Sequence, residues 1–295
     1  DGARGGRYLP HGHLIGGERL RKWLLESIVA GQASDVRLRL RGDLREFPFI
    51  DPARGQFQVT AHVERGVLNY ANGWPRIENV EGELHFERDS MTIAGRSGTI
   101  LGTRVSNVRV SIPQLAVPVS HLLINGQAAG PAGEFLKFIA TSPVLDMVGG
   151  MTDTLQISGN GTLRLKIDLP IEDPKATRIA GEFDFAGNSI EVHPHLPAIE
   201  RAAGGFAFTD AGFTLRRVTG RLLGAPVEIS GGTRADSSVE IVAQGRNLKL
   251  AQLPLIERPW RDHLSGAASY TATLTVREGH ARLKLESSLR GVAST

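Results

Sequence analysis

Short segments of strict alternation between apolar and polar residues recur along the chain, the period-two signature of β-strands that bury one face. Val36, Leu38 and Leu40 alternate with Arg37, Arg39 and Arg41, and Phe57, Val59, Ala61 and Val63 alternate with Gln58, Thr60, His62 and Glu64. Val80, Leu84 and Phe86 oppose Glu81, Glu83, His85 and Glu87, while Leu163, Leu165, Ile167 and Leu169 oppose Arg164, Lys166 and Asp168. The pattern continues through Phe183 and Phe185, through Tyr270, Ala272, Leu274 and Val276, and through Leu283 and Leu285. Most of the chain therefore reads as strands with one greasy and one wet face. Helical periodicity is confined to three places. Glu18 to Ala30 repeats Leu20, Trp23, Leu24 and Ile28 at three- and four-residue spacing before Gly31; Ala132 to Ile139 runs up to Pro143; a short helix is expected after Pro259 near Trp260.

An internal repeat organises these strands. Shifting the sequence by 122 residues aligns Pro75, Ile77, Glu78, Gly82, Phe86, Thr92, Gly98, Leu101, Gly102 and Val105 with Pro197, Ile199, Glu200, Gly204, Phe208, Thr214, Gly220, Leu223, Gly224 and Val227. That is about ten identities in about 31 positions, where residue usage gives roughly two by chance. Asp51-Pro52 matches Asp173-Pro174 at the same offset, and Ser265-Gly266 resembles Ser158-Gly159, each ahead of an alternating strand. The expected division is residues 1–34 as loop and amphipathic helix, 35–153 as a first β-repeat with a short helix near 132–142, 154–264 as a second, and 265–295 as the start of a third.

Composition narrows the chemistry. Hydrophobic residues at 41% and charged residues at 22% fit a folded chain of 295 residues, and its net charge is +3. The one basic concentration, Arg4, Arg7, Arg19, Arg21 and Lys22, lacks the interleaved aromatics that stack bases, which argues against a nucleic-acid partner. The absence of cysteine removes disulfides, thiolate catalysis and Cys-based zinc sites. The chain opens Asp1-Gly2-Ala3, without Met, signal-peptide pattern or an apolar run of about 18 residues, and reads as part of something longer.

Catalytic signatures are missing: no phosphate-binding Gly-Lys-Ser/Thr loop, no Gly-x-Ser-x-Gly elbow and no His-Glu-x-x-His occurs. Gly159-Asn160-Gly161 interrupts an alternating strand and opens no helix, so it marks a bulge or bend. His11 with His13, and His193 with His195, have His-x-His spacing that places both rings on one face of a strand. No third ligand stands at a recognisable spacing, and Pro194 splits the second pair, so neither reads as a metal site. Asp51, Asp173, Asp146 and Asp153 lie near Pro, Thr or Gly, where carboxylates commonly cap turns and helices. Neither a cofactor nor enzymatic activity is expected.

So many one-sided strands need a cover, and the helical segments are too few to supply it. Two outcomes are open: a closed β core whose polar face binds envelope proteins as a scaffold or assembly factor, or an extended, curved antiparallel sheet whose apolar face holds acyl chains. For the second, the alternating apolar positions are the candidate lipid contacts: Leu38, Leu40, Phe57, Val59, Leu84, Phe86, Leu163, Leu165, Ile167, Phe183, Phe185, Phe206, Phe208, Leu274, Val276, Leu283 and Leu285. Tyr70, Trp74, Phe47 and Phe49 read rather as corner packing at strand ends.

The segment from His13-Leu14-Ile15-Gly16 through Arg21-Lys22-Trp23-Leu24, Phe47-Pro48-Phe49, and Tyr70 with Gly73-Trp74-Pro75 before an alternating strand resemble the YhdP branch of the AsmA-like bacterial envelope proteins. The resemblance implies an internal periplasmic fragment of a protein anchored in the inner membrane by an N-terminal helix, built as a repeated β-groove. It also implies a part in moving phospholipid towards the outer membrane, with acyl chains and inner- and outer-membrane envelope proteins as partners. It offers no catalytic motif to carry over.

Overall fold

A computed structural model of the chain describes residues 26–115, 117–148, 152, 154–194, 196–252, 257 and 262–294. It is mainly β. The strands of the first half are β1 (Ile28–Gly42), β2 (Gly55–Leu68), β3 (Ile77–Glu87), β4 (Ser90–Ile100), β5 (Thr103–Ile112) and β6 (His121–Pro131). Two short helices follow, α1 (Ala132–Ala140) and α2 (Val144–Val148). Then come β7 (Gln156–Ser158), β8 (Asn160–Pro170), β9 (Arg178–Glu191), β10 (Ile199–Thr209), β11 (Gly212–Leu222), β12 (Ala225–Thr233) and β13 (Val239–Leu248). The last elements are β14 (Leu264–Gly266), β15 (Ala268–Arg277), β16 (His280–Ser287) and β17 (Val292–Ser294).

Fifteen strands form one antiparallel sheet whose order follows the sequence, β1 to β6, β8 to β13, β15, β16, with β7 paired to β9. The order does not close on itself. β14 and β17 form a separate two-stranded ribbon. Three of the consecutive pairs are joined by two-residue turns: Leu101-Gly102, Leu223-Gly224 and Glu278-Gly279 all have both central φ values positive, the geometry that matches strand twist in a two-residue hairpin.

The 122-residue repeat is visible in the backbone. β3 and β10, and β4 and β11, begin and end at equivalent positions, and β5 and β12 begin at equivalent positions. The repeat even preserves irregularities. Asn79 and its counterpart Arg201 both adopt φ 53°, and Arg65 and its counterpart Gly187 are both left-handed. The Asn79 bulge consumes one extra residue, so Ile77 and Val80, three apart, stay on the same face; their partners Leu68 and Gly66 are two apart on β2. Strict alternation in the sequence slips by one at these bulges, while the face in space is kept.

At Gly102 and Gly224, φ is +79° and a Cβ would meet nothing within 4 Å. Gly102→Ala and Gly224→Ala are therefore expected to lose only the conformational preference, about 1 kcal/mol each. Urea midpoints should fall by comparable amounts in the two variants; a much larger loss in one of them would show that its turn carries more than local backbone geometry.

Three expectations are changed or placed by the structure. Glu26 and Ser27 are helical, but Ile28 to Ala30 already belong to β1, because pairing with Leu68 and Val67 satisfies their backbone in the ladder. Residues 18–25, Trp260, the His11 and His13 pair, His195 and Asp153 lie outside the described residues. Gly159, with φ +90°, separates β7 from β8, and a Cβ there would lie 3.0 Å from the Asn188 side chain. Gly266, ahead of β15, has a nearly equal φ of +88°.

By packing, the described residues up to Ala129 join Arg164–Ala180 in one compact unit, and Gly130–Leu163 join the residues from Gly181 onward in another. The first is centred on Phe49, Phe57, Phe86, Met91, Ile112 and Leu115. The second is centred on Val218, Val227, Ile229, Leu248, Ala268 and Tyr270.

Candidate apolar face

In the first unit, the cross-strand register lines apolar side chains into rows perpendicular to the strands. One row runs Leu38, Val59, Phe86, Met91, Ile112 across β1 to β5. A second runs Ala61, Leu84, Ile93, Val110, Ile124 across β2 to β6. A third passes through Val63, Gly82, Gly95 and Val108. Between them, on the opposite face, lie rows such as Arg37, Thr60, His85, Thr92, Ser111. In the first two rows five strands span four spacings, so each of those two offers an apolar track of about 19 Å.

Burial along the first row is graded. Ile112 and Met91 are each 2% exposed and Phe86 is buried, Val59 is half-buried, and Leu38 on the edge strand is 62% exposed. One end of the face is sealed by protein. The segment after β1 brings Phe47 within 5.8 Å of Phe49 and 4.9 Å of Phe57, ring centre to ring centre and edge-on, and Phe49 is fully buried. Gly42 and Gly55 make room for it, since a Cβ on either would fall within 2.7 Å of the Phe49 ring. Phe47 and Phe49 are corner packing, and Tyr70 packs on Trp74 at 6.1 Å. Burial pushes the Tyr70 hydroxyl up to about 12. The members of the Ala61 to Ile124 row are half-buried, and Leu84, Ile93 and Val110 among them pack against the cluster that contains Phe49 and Phe57.

The second unit repeats the arrangement with different chemistry. Rows run Val218, Ile229, Ala243, Ala272, Leu285 and Gly231, Ile241, Leu274, Leu283 across β11 or β12 to β16. Exposure again rises towards the edge strand, from 4% at Val218 to 48% at Leu285 and 45% at Leu283. Near β9 and β10 the face is aromatic: Phe183 stacks on Phe206 at 5.5 Å and meets Phe185 at 5.4 Å, and Phe206 lies 5.9 Å from Phe208. α1 seats Phe135 edge-on against Phe183 at 5.1 Å. Glycines admit these rings: a Cβ on Gly181 would lie 2.3 Å from the Phe208 ring, and one on Gly245 would lie 2.4 Å from the ring of Tyr270.

The opposite face of this unit is polar and paired. Arg216 donates to Glu182 at 2.9 Å and Asp184 at 3.0 Å, Lys284 meets Glu286 at 2.8 Å, and Arg234 pairs with Glu240. Asp236 is held below the usual carboxylate range, first by the Ser238 hydroxyl and then by the Ser238 amide. Asp51 caps a turn, accepting from the Ala53 amide at 2.9 Å. Among the described residues no group of three His, Cys, Asp or Glu side chains has the spacing to hold a metal ion. No helix of the described residues is long and apolar enough to cross a membrane.

The candidate contacts thus fall into three environments. Phe57, Phe86 and Phe183 are buried against protein. Val59, Leu84, Leu163, Leu165, Ile167, Phe185, Phe206, Phe208, Leu274 and Val276 are half-buried, and Leu38, Leu40, Leu283 and Leu285 are exposed. Ile167 also borders a shallow depression of about 280 Å³ with Leu123, Asn125 and Ile179. The rows contain further members that the sequence reading left out, among them Met91, Ile93, Val110, Ile112, Ile229 and Ile241. Val108, Val110 and Ile112 alternate with Arg109 and Ser111, so the same period-two signal marks them.

The family described as "YhdP protein" matches residues 1–295. The Escherichia coli (strain K12) protein named "Intermembrane phospholipid transporter YhdP" is 24% identical over 272 residues, covering 92% of this chain. The chain spans about a fifth of that relative, 21% of its length. No solved structure matches.

Proposed function

Starting from the fact that the chain belongs to the YhdP protein family, we propose that its apolar rows hold phospholipid acyl chains as a segment of a transporter between two membranes. In this reading the chain is a periplasmic part of an inner-membrane-anchored protein in the envelope of a Gram-negative bacterium. It performs no covalent chemistry. Lipid moves by exchanging one apolar row for the next, with headgroups left towards water.

The carrying observation is the gradient in the two units, where an apolar row anchored in the core continues without a polar interruption to half-exposed and exposed leucines. A row of this kind is suited to a chain of methylenes. Each one removed from water gains about 0.8 kcal/mol, so a dozen gain on the order of 10 kcal/mol before ordering is subtracted. No specific polar contact is required. The rival reading, a scaffold whose sheet is closed by its own second layer, calls for a dry interior and no bound lipid.

The test is lipid extraction and mass spectrometry of the chain purified without detergent. Phospholipid is expected to co-purify and to survive gel filtration. Protein that folds, emerges lipid-free and takes up none from phosphatidylcholine vesicles would overturn the proposal.

A further inference from the structure

α1 covers the aromatic part of the second unit's face, and its seat there is light. Its nine residues, Ala132–Ala140, are too few for a helix to stand alone in water, so its apolar stripe must hold it. Phe135, Leu136, Phe138 and Ile139 make that stripe, yet all four are half-buried, and Ala132 is the one buried residue of the helix. Pro131 at its start gives no side-chain hydrogen bond. The Ala132 amide donates instead to the Gly159 carbonyl at 2.8 Å.

The seat carries a cost. Glu134 is drawn in with the helix: its Oε2 is buried and accepts no hydrogen bond, with Lys137 Nζ 3.5 Å away as an ion-pair partner. A buried oxygen in this state penalises the seated helix, and lifting the helix returns it to water. Beneath α1, Phe183 lies over Gly161, where a Cβ would fall 2.1 Å from its ring, and stacks on Phe206; Phe135 adds an edge-on ring to its cover. The first unit differs. There Phe49 is fully buried, set against Gly42 and Gly55 as a fixed part of the core, whereas Phe135 is half-buried.

We infer that α1 is a displaceable cover, an autoinhibitory contact in which Phe135 holds the place on Phe183 that an acyl chain takes when lipid occupies the second unit. The inference rests on the proposal that the apolar face holds acyl chains, and adds that α1 decides when the aromatic part is open to them. Exchanging one apolar surface for another leaves little net burial to lose, so the two states lie close in free energy. Release of the Glu134 carboxylate favours the open state, and the Phe135 contact with the Ala132 bond favours the closed one. A bound acyl chain tips the balance by binding the open state alone.

To test this, the full chain is incubated with phosphatidylcholine vesicles, freed of them by flotation, and its retained lipid is quantified by mass spectrometry. Phe135→Ala removes the competing ring and is expected to retain roughly twofold to fivefold more lipid than wild type. In wild-type protein, lipid uptake is expected to speed amide hydrogen exchange across residues 132–140 by roughly threefold or more, the opposite of the protection that a ligand gives to a fixed wall. This second readout needs no variant and decides the matter where Phe135→Ala fails to fold. Lipid retained by wild type with exchange in α1 unchanged or slowed, or no gain in a folded Phe135→Ala, overturns this inference and leaves the acyl-chain reading standing. No lipid retained by either folded protein overturns both.

Discussion

Met91→Asp is expected to abolish cooperative folding of the first unit. Met91 is 2% exposed and sits between Phe86 and Ile112 in the row that forms the core. A carboxylate there has no partner within the apolar row, and an unpaired buried charge is among the few single changes that exceed 4 kcal/mol. A domain of ordinary stability has about 5–15 kcal/mol in all, so this change removes most of it. Met91→Ala provides the graded control. It leaves a cavity between ordered neighbours and should cost about 2–5 kcal/mol, read as a lower urea midpoint by circular dichroism. A Met91→Ala midpoint indistinguishable from wild type would mean that the row is not the core of this unit.

Leu283→Asp combined with Leu285→Asp is expected to do the reverse, sparing the fold and losing the lipid. Both leucines are nearly half exposed on β16, so substitution creates no buried charge, and stability should change by roughly 0.5–1 kcal/mol. On the bound chain the effect is larger. Each leucine, already about half buried, contributes roughly 0.7–1.5 kcal/mol when its remaining surface is covered by an acyl chain, and a carboxylate in the same path adds a desolvation cost. Lipid retained by the second unit should fall more than tenfold while the urea midpoint holds. Unchanged lipid content in a folded double variant would place the acyl chains elsewhere than on the outer ends of the Ala272 and Leu274 rows.

These two experiments separate roles that the sequence does not separate. Met91 and Leu283 look alike on the page, each an apolar residue in an alternating strand. One lies in the middle of a row with protein on every side, and the other lies on the last strand of the sheet. For the same reason Phe185, attractive on the sequence as a lipid contact, is a poor position for a charged substitution. It packs on Phe183 and Phe206 and against the core of its unit, so a charge there would test stability.

The sequence by itself determined that this is a mainly β chain, since period-two alternation is a direct consequence of side chains pointing to opposite sides of a strand. It also determined that strands recur at an offset of 122 residues, and that the chain resembles the family to which it belongs. The tertiary structure decided which faces meet. Bulges at Arg65, Asn79 and Arg201 shift alternation by one residue, and only the register shows that Ile77 and Val80 remain on one side. The structure also turned a helix expected to reach Ala30 into a strand from Ile28, because a ladder partner on β2 outweighs local periodicity. Exposure, finally, depends on where a strand stands in the sheet. Among the described residues Leu38 in β1 and Leu283 in β16 stand in strands with one hydrogen-bonded neighbour in the sheet, a position in the strand order that no local pattern encodes, and both are exposed.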